Sequence, residues 1–264
     1  MATFNKRGYK APKEKAEKVD NDFIEDTVNV EEKDSTTARA FDTLDQTASK
    51  AEDFVEKNQK AIFGLVALVA LVTVGYLMYQ KFVAEPKQDD AANELFVSQQ
   101  NFQKAVDDVT GTKSDSLFNL VLKGSEGKFG VVKIAEEYSG TDAGNLANYM
   151  AGIAYLNTGK FAEAVTSLQK FSSKDIMLST LATGAIGDAY AQQDKQKEAL
   201  EFYVKAADAS KNELTRPRFL LKAGKTAFAL GNKADALKYF TDIKDNYETT
   251  PEGQGIEALI GLAQ

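Results

Sequence analysis

NYMAGIAYLNTGKFAEAVTSL, residues 148–168, is followed by TGAIGDAYAQQDKQKEALEFY, residues 183–203, and by LLKAGKTAFALGNKADALKYF, residues 220–240. Aligned, the three place Gly152, Gly187 and Gly224 in one column and Ala164, Ala199 and Ala236 in another, at spacings of 35 and 37 residues in both. Leu168, Tyr203 and Phe240 fill a large apolar position four residues after the alanine, and Tyr155 and Tyr190 share a column with Ala227. Glycine and alanine belong where two helices approach closely, and the large side chains fill the space beside them. A period of this length identifies a stacked array of helix pairs, so the fold class is all-α.

The columns resemble the tetratricopeptide repeat, a helix-turn-helix unit with a small residue and an aromatic on its first helix and alanine followed by an aromatic on its second. Gly159, Asp194 and Gly231 share the column expected for the turn between the helices. Two motif residues are missing. Asn148, Thr183 and Leu220 stand where the repeat has tryptophan, and Ile176, Lys211 and Glu248 stand where it has its closing proline. The clear repeats are expected at about 145–178, 180–213 and 217–250 of a domain spanning 80–264. Helices are predicted before them at 89–109, 116–122 and 126–138, as a divergent first repeat and cap, and after them at 252–263, covering the last repeat.

Outward from the repeats, Ala61–Tyr79 reads AIFGLVALVALVTVGYLMY and holds no charged residue. As a helix it spans about 28 Å, close to the roughly 30 Å of a bilayer's hydrocarbon core. It is predicted as one membrane-spanning helix, flanked by Lys57 and Lys60 on one side and by Tyr76, Tyr79 and Lys81 on the other. A cleaved leader is not expected, since the apolar run begins 60 residues into the sequence. Lysine bias near the helix ends, together with the basic first residues, places the head in the cytoplasm and the repeat domain outside it.

Residues 1–35 of the head carry few apolar side chains and are expected to be a disordered cytoplasmic tail. Its first 18 residues form a basic tip with Phe4 and Tyr9 interleaved, to which any nucleic-acid contact is confined as a weak one; an acidic lipid or protein face is the other reading, beside simple solvation. In 36–60, Ala38, Phe41, Leu44, Ala48, Ala51, Phe54 and Val55 recur at helical spacing. This amphipathic juxtamembrane helix carries Asp42, Asp45, Glu52, Asp53 and Glu56 on its other face, which an anionic membrane surface would repel. A protein partner and a merely solvated lead-in to the membrane remain equal readings.

The chain has no cysteine and no histidine, and its net charge is -7. Common zinc sites, Ser-His-Asp triads and Cys-His dyads therefore cannot be built from it alone, and the charge does not favour bulk nucleic-acid binding. No phosphate-cradling glycine motif is present, and the carboxylates fall on periodic helix faces where solvation explains them. The expectation is a non-enzyme with no cofactor, no metal and no catalytic residue. What the repeats offer is a groove lined by their first helices: Tyr149, Ile153 and Asn157, then Asp188 and Gln192, then Arg218, Lys225 and Phe228, a mixture suited to polypeptide. In the membrane helix, Gly64 and Gly75 lie on one side and are candidate docking positions for a neighbouring helix.

The tail FNKRGYKAP, the single span, the repeat domain and the fragment GNLANYMAGIAYLNTGKFAEAV together resemble the YfgM-type ancillary subunit of the bacterial SecYEG translocon. That resemblance implies an inner-membrane protein whose periplasmic repeat domain sits beside the channel. There it would work with a membrane-anchored chaperone of the PpiD type and receive emerging polypeptides, with membrane lipid around its helix. An envelope-assembly or cell-division scaffold is the competing reading of the same architecture, and a membrane-tethered enzyme a more distant one.

Overall fold

The computed structural model describes residues 36–108 and 111–264. The expected tail at 1–35 lies outside the described residues. The chain divides into two units, one ending at Leu71 and the other running Val72–Gln264.

Helix α1 runs Thr36–Tyr79, so the predicted amphipathic segment and the predicted span are parts of one helix. Phe41, Leu44, Phe54 and Val55 are exposed, as is every residue from Phe63 to Tyr79. The helix is long and apolar enough to cross a membrane, and its most apolar window has no buried residue.

A π-helical segment, Gln80–Ala84, follows, with Lys81 donating to Glu85 at 2.9 Å. Helix α2 spans Glu85–Val106, starting four residues before its predicted position because Pro86 is tolerated in a first turn. Helix α3 is Ser114–Lys123 and α4 is Val131–Glu137. The prediction for α4 began five residues early. Gly124 and Gly127 have φ of 90° and 76°, and a Cβ on Gly124 would strike the backbone at Lys128, so 124–130 closes as a compact loop instead. Ser98 of α2 donates to Phe129 O at 3.1 Å, and Glu94 accepts from Phe129 N–H at 3.1 Å and from Lys128 Nζ at 2.9 Å, fastening that loop to α2.

Three helix pairs follow: α5 Asp142–Asn157 with α6 Phe161–Lys170, α7 Ile176–Ala191 with α8 Gln196–Ala209, and α9 Arg216–Ala229 with α10 Lys233–Tyr247. Helix α11 is Ile256–Ala263. Thr141, Asp175 and Asn232 cap α5, α7 and α10 by accepting backbone N–H groups, and Pro217 opens α9.

The repeat columns are the contacts that hold each pair together. A Cβ built on Gly152 would collide with Leu168, one on Gly187 would come within 2.7 Å of the Tyr203 ring, and one on Gly224 would collide with the Phe240 ring. Ala164, Ala199 and Ala236 are fully buried beside them. Each glycine is the seat of the large side chain of its partner helix. In the turns, Gly159, Asp194 and Gly231 all adopt left-handed backbone, with φ of 76°, 58° and 79°. Asp194 shows that the position demands a left-handed residue, and aspartate is among the side chains that tolerate it.

Successive pairs are joined differently. The Phe219 ring of α9 occupies the space a Cβ on Gly184 of α7 would need, and Arg216 donates to Ala207 O at 2.9 Å while pairing with Asp242 at 2.9 Å. The buried core is alanine-rich along its whole length, from Ala91 and Val121 through Ala154 and Ala189 to Ala223 and Ile243. Small residues allow helix axes to approach, and dispersion over many contacts replaces bulk.

Candidate functional site

On the side formed by the first helices, Leu156, Asn157, Gly159 and Phe161 from the α5–α6 turn meet Asp188, Ala191 and Gln192 of α7, Tyr203 of α8 and Lys222 of α9. They enclose a pocket of about 530 Å³. Its polar heart is a three-residue network. Asp188 Oδ1 accepts from the Tyr203 hydroxyl at 2.8 Å and from Lys222 Nζ at 2.5 Å, and that ammonium lies 5.5 Å from the Tyr203 ring centre. Burial, and then the Asp188 carboxylate beside it, push the Tyr203 phenol well above its ordinary value, so at any neutral pH it is a hydrogen-bond donor. The network joins α7 to its own partner helix and to the first helix of the next pair.

Three of the eight residues expected along this side are thus brought together: Asn157, Asp188 and Gln192. Asn157 and Gln192 are exposed at the pocket, although Asn157 Nδ2 donates to Ile153 O at 2.8 Å, and the outward reach of Asp188 is taken by Tyr203 and Lys222. Tyr149 and Ile153 are half-buried between the core around α2–α5 and that around α6–α7; the Tyr149 ring rests 5.2 Å from that of Phe171, and burial raises its phenol pKa. Arg218, Lys225 and Phe228 are exposed on α9 and do not line the pocket.

Of the pocket residues that the sequence reading did not place there, Tyr203 and Lys222 carry its polar network. Tyr203 was assigned wholly to packing, and its ring does pack on Gly187, but its hydroxyl reaches through to the pocket. Lys222 stands in the column of Met150 and Ala185. A single charge in a column that is otherwise apolar was the signal that it had a partner across a helix interface.

A second, larger groove of about 1480 Å³ lies on the other face of α5, bounded by α4 and α6. Asn145 spans one end of it, donating to Ser172 O at 2.7 Å and accepting from Ser172 N–H at 3.0 Å. Among the described residues no group of three or more His, Cys, Asp or Glu side chains is placed to hold a metal ion. In α1, a Cβ on Gly64 or Gly75 would meet no atom of the described residues within 4 Å.

Family models described as tetratricopeptide repeat match residues 149–213 and 219–250. These are tetratricopeptide-type repeats. Among solved structures, the chain is similar to one titled "Crystal structure of PilW, widely conserved type IV pilus biogenesis factor", at 18% identity and a TM-score of 0.44, with 80% of this chain and 90% of that chain covered. None of the curated proteins matches the chain. Tetratricopeptide repeats are protein-interaction modules, so protein partners are the class of ligand this architecture serves.

Proposed function

We propose that this protein is a single-pass membrane scaffold, without catalytic activity, whose repeats hold polypeptide segments along their first-helix side. The observation that carries the proposal is the pocket at Asn157, Asp188 and Gln192, where exposed amides stand beside the apolar Leu156, Phe161 and Ala191. Amides donate to and accept from a peptide backbone irrespective of its sequence, and the apolar walls take side chains. Tyr203 and Lys222 hold Asp188 in place, so the polar wall is preorganised and not free to collapse onto a ligand.

The finer proposal is that the scaffold is an ancillary subunit of the SecYEG translocon, anchored in the bacterial inner membrane with its repeats in the periplasm. In that setting a PpiD-type chaperone and emerging secreted polypeptides are its partners. Support comes from FNKRGYKAP at the head and GNLANYMAGIAYLNTGKFAEAV in the repeats. Gly64 and Gly75 are proposed as the side of α1 that a channel helix approaches, since a Cβ on either would meet no atom of the described residues within 4 Å.

The test is a photo-crosslinking residue at Gln192 of the full-length protein in native membranes, with one at exposed Thr166 on α6 as control. Capture of secreted polypeptides at 192 and not at 166 is the expected result, and equal capture at both would remove the pocket from the account. Mild-detergent purification from the same membranes separates the two levels. Recovery of translocon subunits and the chaperone supports the finer proposal; recovery of septal or outer-membrane assembly proteins in their place assigns the scaffold to envelope assembly.

A further inference from the structure

The groove on the other face of α5 has its origin in two repeat columns. Ser167, Phe202 and Tyr239 share the position just before the large apolar residue of each second helix, and Tyr155, Tyr190 and Ala227 share one on the first helices. In the second pair the Phe202 ring lies tilted against that of Tyr190, with 5.4 Å between centres and 31° between planes, and Lys195 Nζ stands 5.7 Å from the same tyrosine ring. In the third pair alanine replaces that tyrosine, and Tyr239 packs against the core. The first pair keeps Tyr155, with Lys160 Nζ again 5.7 Å from its ring, but has serine in the column that supplies the covering ring. Among the described residues no second ring lies on Tyr155. Tyr155 and Ser167 both line the groove of about 1480 Å³ between α4 and α6.

The surroundings of that ring define a ligand. Val132 and Ala135 of α4 add apolar surface to the groove, while Glu136 of α4 and Glu163 of α6 are exposed on its two walls. Lys133 pairs with Glu137, at 3.6 Å, and neither Glu136 nor Glu163 is ion-paired among the described residues. Both act on one phenol: burial first, then Glu163 and Glu136, raise the Tyr155 pKa. Asn148 Nδ2 donates to Gly144 O at 3.1 Å and Thr166 Oγ1 to Ala162 O at 3.0 Å, so each keeps an oxygen able to accept. A groove this size exceeds the roughly 300–1,000 Å³ of small-molecule pockets, which points to polypeptide. A helix would bring backbone groups already satisfied internally, whereas an extended chain brings free N–H donors for those oxygens.

We propose that the groove between α4 and α6 binds an extended segment of another protein, which lays an aromatic side chain on Tyr155 at Ser167 and sets a lysine or arginine beside it against Glu136 and Glu163. The aromatic takes the part that Phe202 plays on Tyr190, and aromatic pairs of that kind add to the area they bury. The basic neighbour meets two carboxylates of complementary charge. A seat that asks for one kind of side chain suits a fixed partner; varied secreted chains are left to the pocket at Asn157 and Gln192, whose test can fail without this one.

The probe is a labelled peptide carrying phenylalanine flanked by lysines, titrated by fluorescence anisotropy onto the full-length protein in nanodiscs. It is expected to bind, to bind more weakly as salt is raised, and to lose about tenfold or more in affinity when its phenylalanine is replaced by alanine. Ser167→Phe supplies the covering ring from within the chain, as Phe202 does in the next pair, so it should cause a similar loss while keeping the parent thermal midpoint or raising it. Glu136→Gln with Glu163→Gln offers a second route to weaker binding, and with it the salt dependence should flatten. Absence of binding, binding that does not depend on the phenylalanine, or binding unaltered by both variants overturns the proposal. A lower midpoint for Ser167→Phe does so as well, since a ring at 167 would then not fit on Tyr155. So does a dimer of the chain that Ser167→Phe dissociates, because a second copy would then be the occupant.

Discussion

Ala199 shows what a single position in these repeats has to satisfy. It is fully buried, and its carbonyl oxygen would lie 3.3 Å from a Cβ on Gly187, so the two helices touch through their backbones there. Ala199→Phe overfills that contact and should lower stability by about 1–3 kcal/mol, read as a lower thermal midpoint of the full-length protein. An unchanged midpoint would mean that α7 and α8 do not meet at this alanine. Thr180 presents the opposite case. It is fully buried on α7, and its hydroxyl makes no hydrogen bond among the described residues. Thr180→Val keeps the shape and removes the unsatisfied group, so stability should rise by about 1 kcal/mol, and a fall would show that the hydroxyl has a partner. The alanine's role was legible in the repeat column, but the cost carried by Thr180 was not, because a sequence does not reveal which lone pairs a fold leaves unpaired.

Among the elements, the attachment of α2 to the loop before α4 carries a pH signature in the acid range. The Phe129 N–H, and after it Lys128, hold the Glu94 carboxyl below the usual carboxylate range. A depressed folded-state pKa means that the stabilisation is present above the unfolded carboxylate's pKa and is lost as pH falls through the folded value. Glu94→Gln should therefore be less stable than the parent near neutrality, and the difference should shrink on acidification. Thermal midpoints measured across that range decide it; a difference independent of pH would remove the ionised carboxylate from the account. Helix α1 bears a different expectation. A Cβ at Gly64 or Gly75 meets no atom of the described residues within 4 Å, so the double leucine variant should insert normally and, if the proposed docking holds, recover less of the translocon subunits. Normal insertion with undiminished recovery would make α1 a tether alone, leaving recruitment to the head or the repeats.

For the whole molecule, the decisive expectation is sidedness. Lys50, Lys57 and Lys60 precede the apolar run and Lys81 and Lys87 follow it, and the first residues are basic. Protease added to intact spheroplasts should digest the repeats and spare the head. Protection of the repeats until lysis would reverse the topology and withdraw the periplasmic assignment.

The sequence by itself determined the class of this protein. Its apolar run is read from composition, because lipid and water select side chains regardless of what else the chain does. Its repeats are read from recurrence, because each pair solves the same packing problem and so reuses glycine, alanine and a large apolar residue at the same spacing. Tertiary structure alone decided the rest. That Lys222 and Tyr203 converge on Asp188, and that Arg218, Lys225 and Phe228 stay apart from the pocket, depends on how one pair is set against the next.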